Sequence, residues 1–148
     1  MASASVIAAV TEEASRRIAD MTISGRGFQV IKFVVGSGGV DPGDESVPLT
    51  PDVEATTLPQ QTFGPKALVE PTPGETGILI SPLCPQFLGL LDFNEANGAI
   101  SNVGLIAVIN HPPGDPLVGT EFLFAIGNRP QIIKSDADQL QLTITLQT

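Results

Sequence analysis

The stretch Leu140-Gln-Leu-Thr-Ile-Thr-Leu-Gln147 decides the fold. Leu140, Leu142, Ile144 and Leu146 alternate with Gln141, Thr143, Thr145 and Gln147. An extended chain, which sends successive side chains to opposite faces, turns that order into one dry and one wet face. Upstream lie more segments of the same kind. Glu121 to Gly127 reads as a strand, as does Ala99 to Asn110 with an interruption at Gly104. Between them His111-Pro-Pro-Gly-Asp-Pro116 makes a proline-dense turn. Gly77 to Leu83 and Gln86 to Phe93 are further strands, parted by Pro82-Leu-Cys-Pro85. Asn94-Glu-Ala-Asn-Gly98 follows, and its Asn97-Gly98 step predicts a hairpin. Residues 78–148 are therefore expected to form an antiparallel β region.

Further upstream the composition changes. Residues 40–77 hold Asp41, Asp44, Glu45, Asp52, Glu54, Glu70 and Glu75 against a single basic residue, Lys66. Prolines at 42, 48, 51, 59, 65, 71 and 73 each remove a backbone donor. The segment reads as a long acidic, Pro-rich loop excursion with one short strand at Lys66 to Glu70. Loops of this length are functional or ordered by a partner. Before it, residues 25–39 give a strand and turn. Phe28 to Val35 alternates, with Ile31, Phe33 and Val35 on one face and Val30, Lys32 and Val34 on the other, and Gly36-Ser-Gly-Gly39 ends it.

Residues 1–24 read as an N-terminal helix region, with the helix over Ser5 to Asp20. Val6, Val10, Ala14 and Ile18 recur four apart, Ile7 lies beside them, and Ser3 or Ser5 is the cap. Glu12 precedes Arg16, and Glu13 precedes Arg17, by four residues, each pair worth ~0.3 kcal/mol on a helix. The stripe either covers the sheet of its own chain or zips against copies of itself, which makes Val6, Ile7, Val10, Ala14 and Ile18 candidate interface residues. The whole, residues 1–148, is expected to be one domain of the α+β class, mainly β: an N-terminal helix followed by an antiparallel β-sheet or sandwich with a long Pro-rich loop.

Composition excludes much chemistry. The 148 residues carry 7 basic and 16 acidic side chains, a net charge of −9, which argues against nucleic acid and against an anionic membrane surface. The 42% hydrophobic content opposes global disorder. One cysteine, Cys84, cannot form an intramolecular disulfide and reads as a buried small hydrophobe made in a reducing compartment. One histidine cannot build a multi-His metal site. Met1 to Val10 has no basic n-region, and Glu12 and Glu13 follow at once, so no targeting segment is expected.

Each remaining motif has a plain structural reading. Gly36 to Gly39 stands where a phosphate loop would stand but lacks its Lys and Gly spacing, and reads as a turn. Asp41, Asp44 and Glu45 offer hard oxygens for Ca²⁺ without EF-hand spacing, and read as a solvated acidic turn. Asp136 and Asp138 beside Lys134 read the same way. His111, with Asp115 near in sequence, has no nucleophile motif and reads as a loop histidine. No catalytic residue, metal site or cofactor is expected.

Three segments carry a resemblance: Ile100-Ser-Asn-Val-Gly-Leu-Ile106, Phe122-Leu-Phe-Ala-Ile-Gly-Asn-Arg-Pro130 followed by Lys134, and the terminal Leu140 to Gln147. With the helix, Gly-rich turn and Pro/Asp-rich loop before them, they resemble the N-terminal, tail-attached domain of phage tail-collar fibre proteins. In that family the first segment reads I-x-E-I-G-L-Y; here Asn102 stands for the acid and Ile106 for the tyrosine. The resemblance spans nearly the whole chain and rests on packing motifs. It implies a virion structural protein, an adaptor attaching fibres to the tail or baseplate, homotrimeric and assembled in the host cytoplasm, with other tail, baseplate or fibre proteins as partners. The family continues into a shaft and receptor-binding tip, so a chain ending at Thr148 is expected to be a short form. Alternatives are a capsid decoration protein and a small ligand- or Ca²⁺-binding domain.

Overall fold

The computed structural model describes residues 2–69, 78–81 and 84–147. In chain order its elements are β1 (Ala2–Val10), α1 (Glu12–Ser24), β2 (Gly27–Gly36), β3 (Val40–Asp41), β4 (Asp44–Pro48), β5 (Gln61–Ala67), β6 (Ile78–Ser81), β7 (Cys84–Leu91), β8 (Gly98–His111), β9 (Glu121–Lys134) and β10 (Leu140–Leu146). The fold is mainly β with one helix. Eight strands share one sheet in the order β5-β2-β8-β9-β1-β10-β7-β6, and β3 and β4 form a separate two-stranded hairpin.

The alternation of β10 does what its sequence requires: Leu140, Leu142, Ile144 and Leu146 are buried and the residues between them are half-buried. β7 pairs with it antiparallel on one side, and β1 pairs with it parallel on the other, Ala2 opposite Leu140 through Ala8 opposite Leu146. The sheet curls until the tail of β5 reaches β7, where the Val69 N–H donates to Leu88 O at 2.9 Å and Lys66 Nζ to Leu90 O at 2.9 Å. The curl encloses one core, with Phe33, Leu91, Val103, Leu105, Leu142 and Ile144 all fully buried. The interior is narrow, since a Cβ on Gly89 would stand 3.0–3.1 Å from three carbons of the Phe33 ring. A smaller cluster, Val34, Leu58 and Ile126, lies apart from this core and is covered by the Pro-rich segment before β5.

The largest departure from expectation is at the N-terminus. Ser5 to Asp20 is not one helix; its first half is β1, and α1 begins only at Glu12. Spacing of four cannot separate the two states here, because Val6 and Val10 are an even number apart and so share a strand face as well. The completed sheet decides: β1 is hydrogen-bonded between β10 and β9, with Ala4, Val6 and Ala8 toward the core. Thr11, not Ser3 or Ser5, is the N-cap. Its Oγ1 accepts from Ala14 N at 3.1 Å and donates to Leu123 O at 2.7 Å, tying the helix start to β9. Gly25 ends the helix at φ 76°, where its N–H donates to Met21 O.

Other expectations shift less. β2 holds the expected range, but a register shift between Val30 and Lys32 changes the parity, so Val30 joins Phe33 and Val35 in the main core, in place of Ile31. The sheet is antiparallel except for the β1–β10 pair. The Asn97-Gly98 step does not make a hairpin: β7 and β8 are separated by β10, β1 and β9, so the turn carries the chain across the sheet. Of the expected excursion at 40–77, the described part is not all loop. It contains β3, β4 and β5, and the strand expected at Lys66 to Glu70 instead runs over Gln61–Ala67 and has ended by Leu68, with Glu70 outside the described residues. Pro48 ends β4, and Pro65 sits in the edge strand β5, places where a missing N–H costs little. Residues 70–77, with Pro71 and Pro73, lie outside the described residues, as do 82–83.

Candidate functional site

The five candidate interface residues do not form one stripe. Val6 and Ala14 are buried, Val10 is half-buried, and only Ile7 and Ile18 are exposed, at 65% and 41%. Val6 fills the core from β1; its Cγ1 would lie 2.5 Å from a Cβ on Gly127, so that glycine is what lets β1 and β9 approach. Ala14 turns inward from α1, while Arg17 forms the expected pair with Glu13 at 3.4 Å and lies over the Phe122 ring at 5.4 Å. No Glu12–Arg16 pair closes within 4 Å.

Where β1 and β9 part company, they leave an open strand edge. They pair only over Ala8–Val10, opposite Gly127–Ala125. Below that point β9 swells: between Asn128 and Ile132 it has three residues where β8, between Asn102 and Ile100, has one. The swelling, Arg129-Pro130-Gln131, carries β9 away from β1. The β1–β10 ladder fixes which backbone groups face the gap. The Ala2 N–H donates to Gln139 O, and the Gln147 N–H to Ala8 O. In a parallel ladder residues 2, 4, 6 and 8 then bond to β10, and Ser3, Ser5 and Ile7 point their N–H and C=O groups the other way. Arg129 reaches over the gap and donates from Nη1 to Ser5 O at 3.1 Å. Behind it lies a groove of about 160 Å³ lined by Ala2, Ser3, Ala4, Ile132, Ile133 and Leu140, among others. A helix, ~10–12 Å across with its side chains, does not fit such a space; the side chains of an extended segment do.

The other candidate groups are engaged locally. Gly38 and Gly39 press against Pro59 O and Ser101 O, and the Gly39 N–H donates to Ser101 Oγ at 2.9 Å, so the Gly-rich run is a site of close backbone approach. Asn102 and Asn128, opposite each other on β8 and β9, donate to Pro59 O and Leu49 O at 2.9 Å each and clip the Pro-rich segment to the sheet. Asp41 accepts from the Gly43 N–H; Asp44 accepts from Ser46 Oγ and N, and these bonds hold its carboxyl below the usual range. Among the described residues no three His, Cys, Asp or Glu side chains are placed to hold a metal. His111 gains no carboxylate from Asp115, which accepts from the Leu117 N–H at 2.9 Å and Arg26 Nε at 3.1 Å and is held below its ordinary pKa by those two donors. The side chain of Cys84 lies outside the described residues.

Lys134 does not face Asp136 or Asp138. Only 4% exposed, it donates to Asp92 O at 2.7 Å and Asn97 Oδ1 at 2.8 Å, and Lys66 binds the same turn from the other side through Glu95. Two lysines thus hold the crossing turn 92–97. Sequence reading gave no role to Arg129 or Thr11, and took Asn102 only as the residue standing where the resembled motif has an acid. For Thr11 there was a signal, a hydroxyl residue directly before two acids; for the others nothing local distinguishes them. No helix among the described residues is long and apolar enough to cross a membrane. The chain matches no protein-family model, no curated protein and no solved structure.

Proposed function

We propose that this chain is a structural component of a bacteriophage virion, an adaptor that attaches fibres to the tail or baseplate as a homo-oligomer, with a trimer favoured. It acts through surfaces and not turnover, needs no cofactor, and meets tail, baseplate or fibre proteins; it is assembled in the host cytoplasm. The observation that carries the reading is the open β1 edge with Ile7 and Ile133 exposed at 65% and 71% beside it. A body whose core is already filled has no internal use for these side chains, and apolar surface beside a free strand edge is suited to docking. The resemblance supports the same reading, and its three segments fall on β8, β9 and β10. The net charge of −9 supports proteins, not nucleic acid, as partners.

The test is immunogold labelling of purified particles with an antibody to this chain. Gold at the tail end is the expected result. Gold on the head would make it a decoration protein, and particles free of the chain would refute a virion role.

A further inference from the structure

We infer that Asn97 is a site of self-modification: its side-chain amide closes on the backbone nitrogen of Gly98, loses ammonia, and is reopened by water to leave a carboxylate beside the buried Lys134. The inference is independent of the virion reading.

Lys134 sets the chemistry. It is only 4% exposed, yet its Nζ meets neutral oxygens alone: Asp92 O at 2.7 Å, Asn97 Oδ1 at 2.8 Å, and Phe93 O and Ser135 O at 3.4 Å each. No carboxylate reaches it within 4 Å among the described residues, although Asp92 and Glu95 in the same turn pair with Lys66. A buried ammonium without a counter-ion is costly. The one side chain among the described residues that it hydrogen-bonds is Asn97, an amide that a single hydrolysis turns into a carboxylate.

Asn97 is built for that conversion. Of Asn94, Asn97, Asn102, Asn110 and Asn128, it alone is followed by glycine. With no Cβ on the next residue, the backbone nitrogen can approach the side-chain carbon, and a Cβ built on Gly98 would meet nothing within 4 Å, so solvent reaches the step. The amide's orientation is fixed by its partners. Lys134 can only donate, and Phe93 O, which takes Nδ2 at 3.1 Å, can only accept. Oδ1 therefore faces an ammonium, which stabilises the negative charge that develops on Oδ1 as Gly98 N attacks Cγ.

In the first step Gly98 N gives its proton to hydroxide and bonds Asn97 Cγ, while Nδ2 takes a proton from water and leaves as ammonia, closing a cyclic imide. In the second, water adds to either imide carbonyl. Opening at Cγ restores the backbone path and leaves aspartate; opening at the main-chain carbonyl leaves isoaspartate. The sum is amide plus water to acid plus ammonia, with no change of oxidation state. Either product carries a carboxylate on residue 97, and the aspartate places it where Oδ1 met Lys134. The crossing turn 92–97 is then held by two ion pairs, Lys66–Glu95 and Lys134 with residue 97, and tightens as the protein ages.

The test is peptide mapping by mass spectrometry of the full chain, sampled over time in neutral buffer, with circular dichroism checking the fold of each variant. Amide-to-acid conversion at residue 97 is expected to run about tenfold or more ahead of the other asparagines, with isoaspartate present, since only the cyclic route makes it. Lys134→Met, which keeps the length and removes the charge, is expected to slow the conversion about tenfold or more. Asn97→Asp, which makes the product directly, is expected to raise Tm in the wild-type background and not in Lys134→Met. An Asn97 that stays intact, keeps pace with the other asparagines or converts without isoaspartate overturns the inference. So does conversion as fast in folded Lys134→Met as in wild type. Should Lys134→Met fail to fold, the wild-type map and the Tm of Asn97→Asp decide alone: an intact Asn97 or a Tm that does not rise overturns the inference.

Discussion

Asn102 shows how one amide sets a requirement that its neighbours in sequence do not reveal. It is fully buried, and its Nδ2 is the donor that holds Pro59 O at 2.9 Å. An acid at this position would face that carbonyl with a buried negative charge and no donor. Asn102→Asp is therefore expected to cost ~2–4 kcal/mol, measured by urea denaturation, with release of the 49–60 segment visible as new proteolytic cleavage there. Glu95 makes the opposite case, a carboxylate whose charge is used. The hydrogen bond from Lys66 is the main cause of its lowered pKa, with the Asp92 N–H helping. Because the folded value lies below the ordinary 4.5, the stability Glu95 adds is present in full above pH 4.5 and is lost as pH falls through the folded value. Glu95→Gln is expected to lower Tm at neutral pH and to flatten the decline of Tm as pH falls below about 4.5. A variant as steep as wild type through that window would remove Lys66–Glu95 from the account.

β1 is the element on which the structure differs most from its sequence. Its backbone bonds to β10 through alternate residues, which gives a test by proline. Ala4→Pro deletes a donor to β10 and leaves the carbonyl of Gln141 without its partner, at a cost of about 2 kcal/mol or more. Ser5→Pro deletes a donor that faces the gap and is expected to cost less than half as much. Equal losses in urea denaturation would contradict the ladder. The contrast between legible and illegible elements has the same physical root. β10 could be read from sequence because four inward and four outward residues repeat a period that no helix satisfies. β2 was readable in extent but not in facing, since a bulge that flips parity leaves no local mark. β1 was read as helix because Ala and Ser are small and chemically neutral between states, and its strand state is imposed by residues 125–127 and 140–146, more than a hundred positions away. The candidate site was illegible for the same reason. Ile7 was named among the interface residues, but Arg129 gains meaning only when a bulge in β9 carries that strand away from β1 and leaves the guanidinium on Ser5 O.

At the scale of the molecule, the first strand of the chain lies between the last two, so the sheet cannot be complete until the C-terminus is in place. Such long-range pairing makes closure a late event in folding. It also places an open edge beside the one segment that joins both ends of the chain, and the proposed docking depends on that edge. Residue-resolved amide exchange across Ala2–Ala8 measures it directly, in dilute protein and in the associated form. In dilute protein Ala4, Val6 and Ala8 are expected to exchange slowly, held by β10, while Ser3 and Ser5 exchange fast; in the associated form Ser3 and Ser5 slow as well. Uniformly fast exchange from Ala2 to Ala8, or Ser3 and Ser5 unchanged on association, would contradict the account.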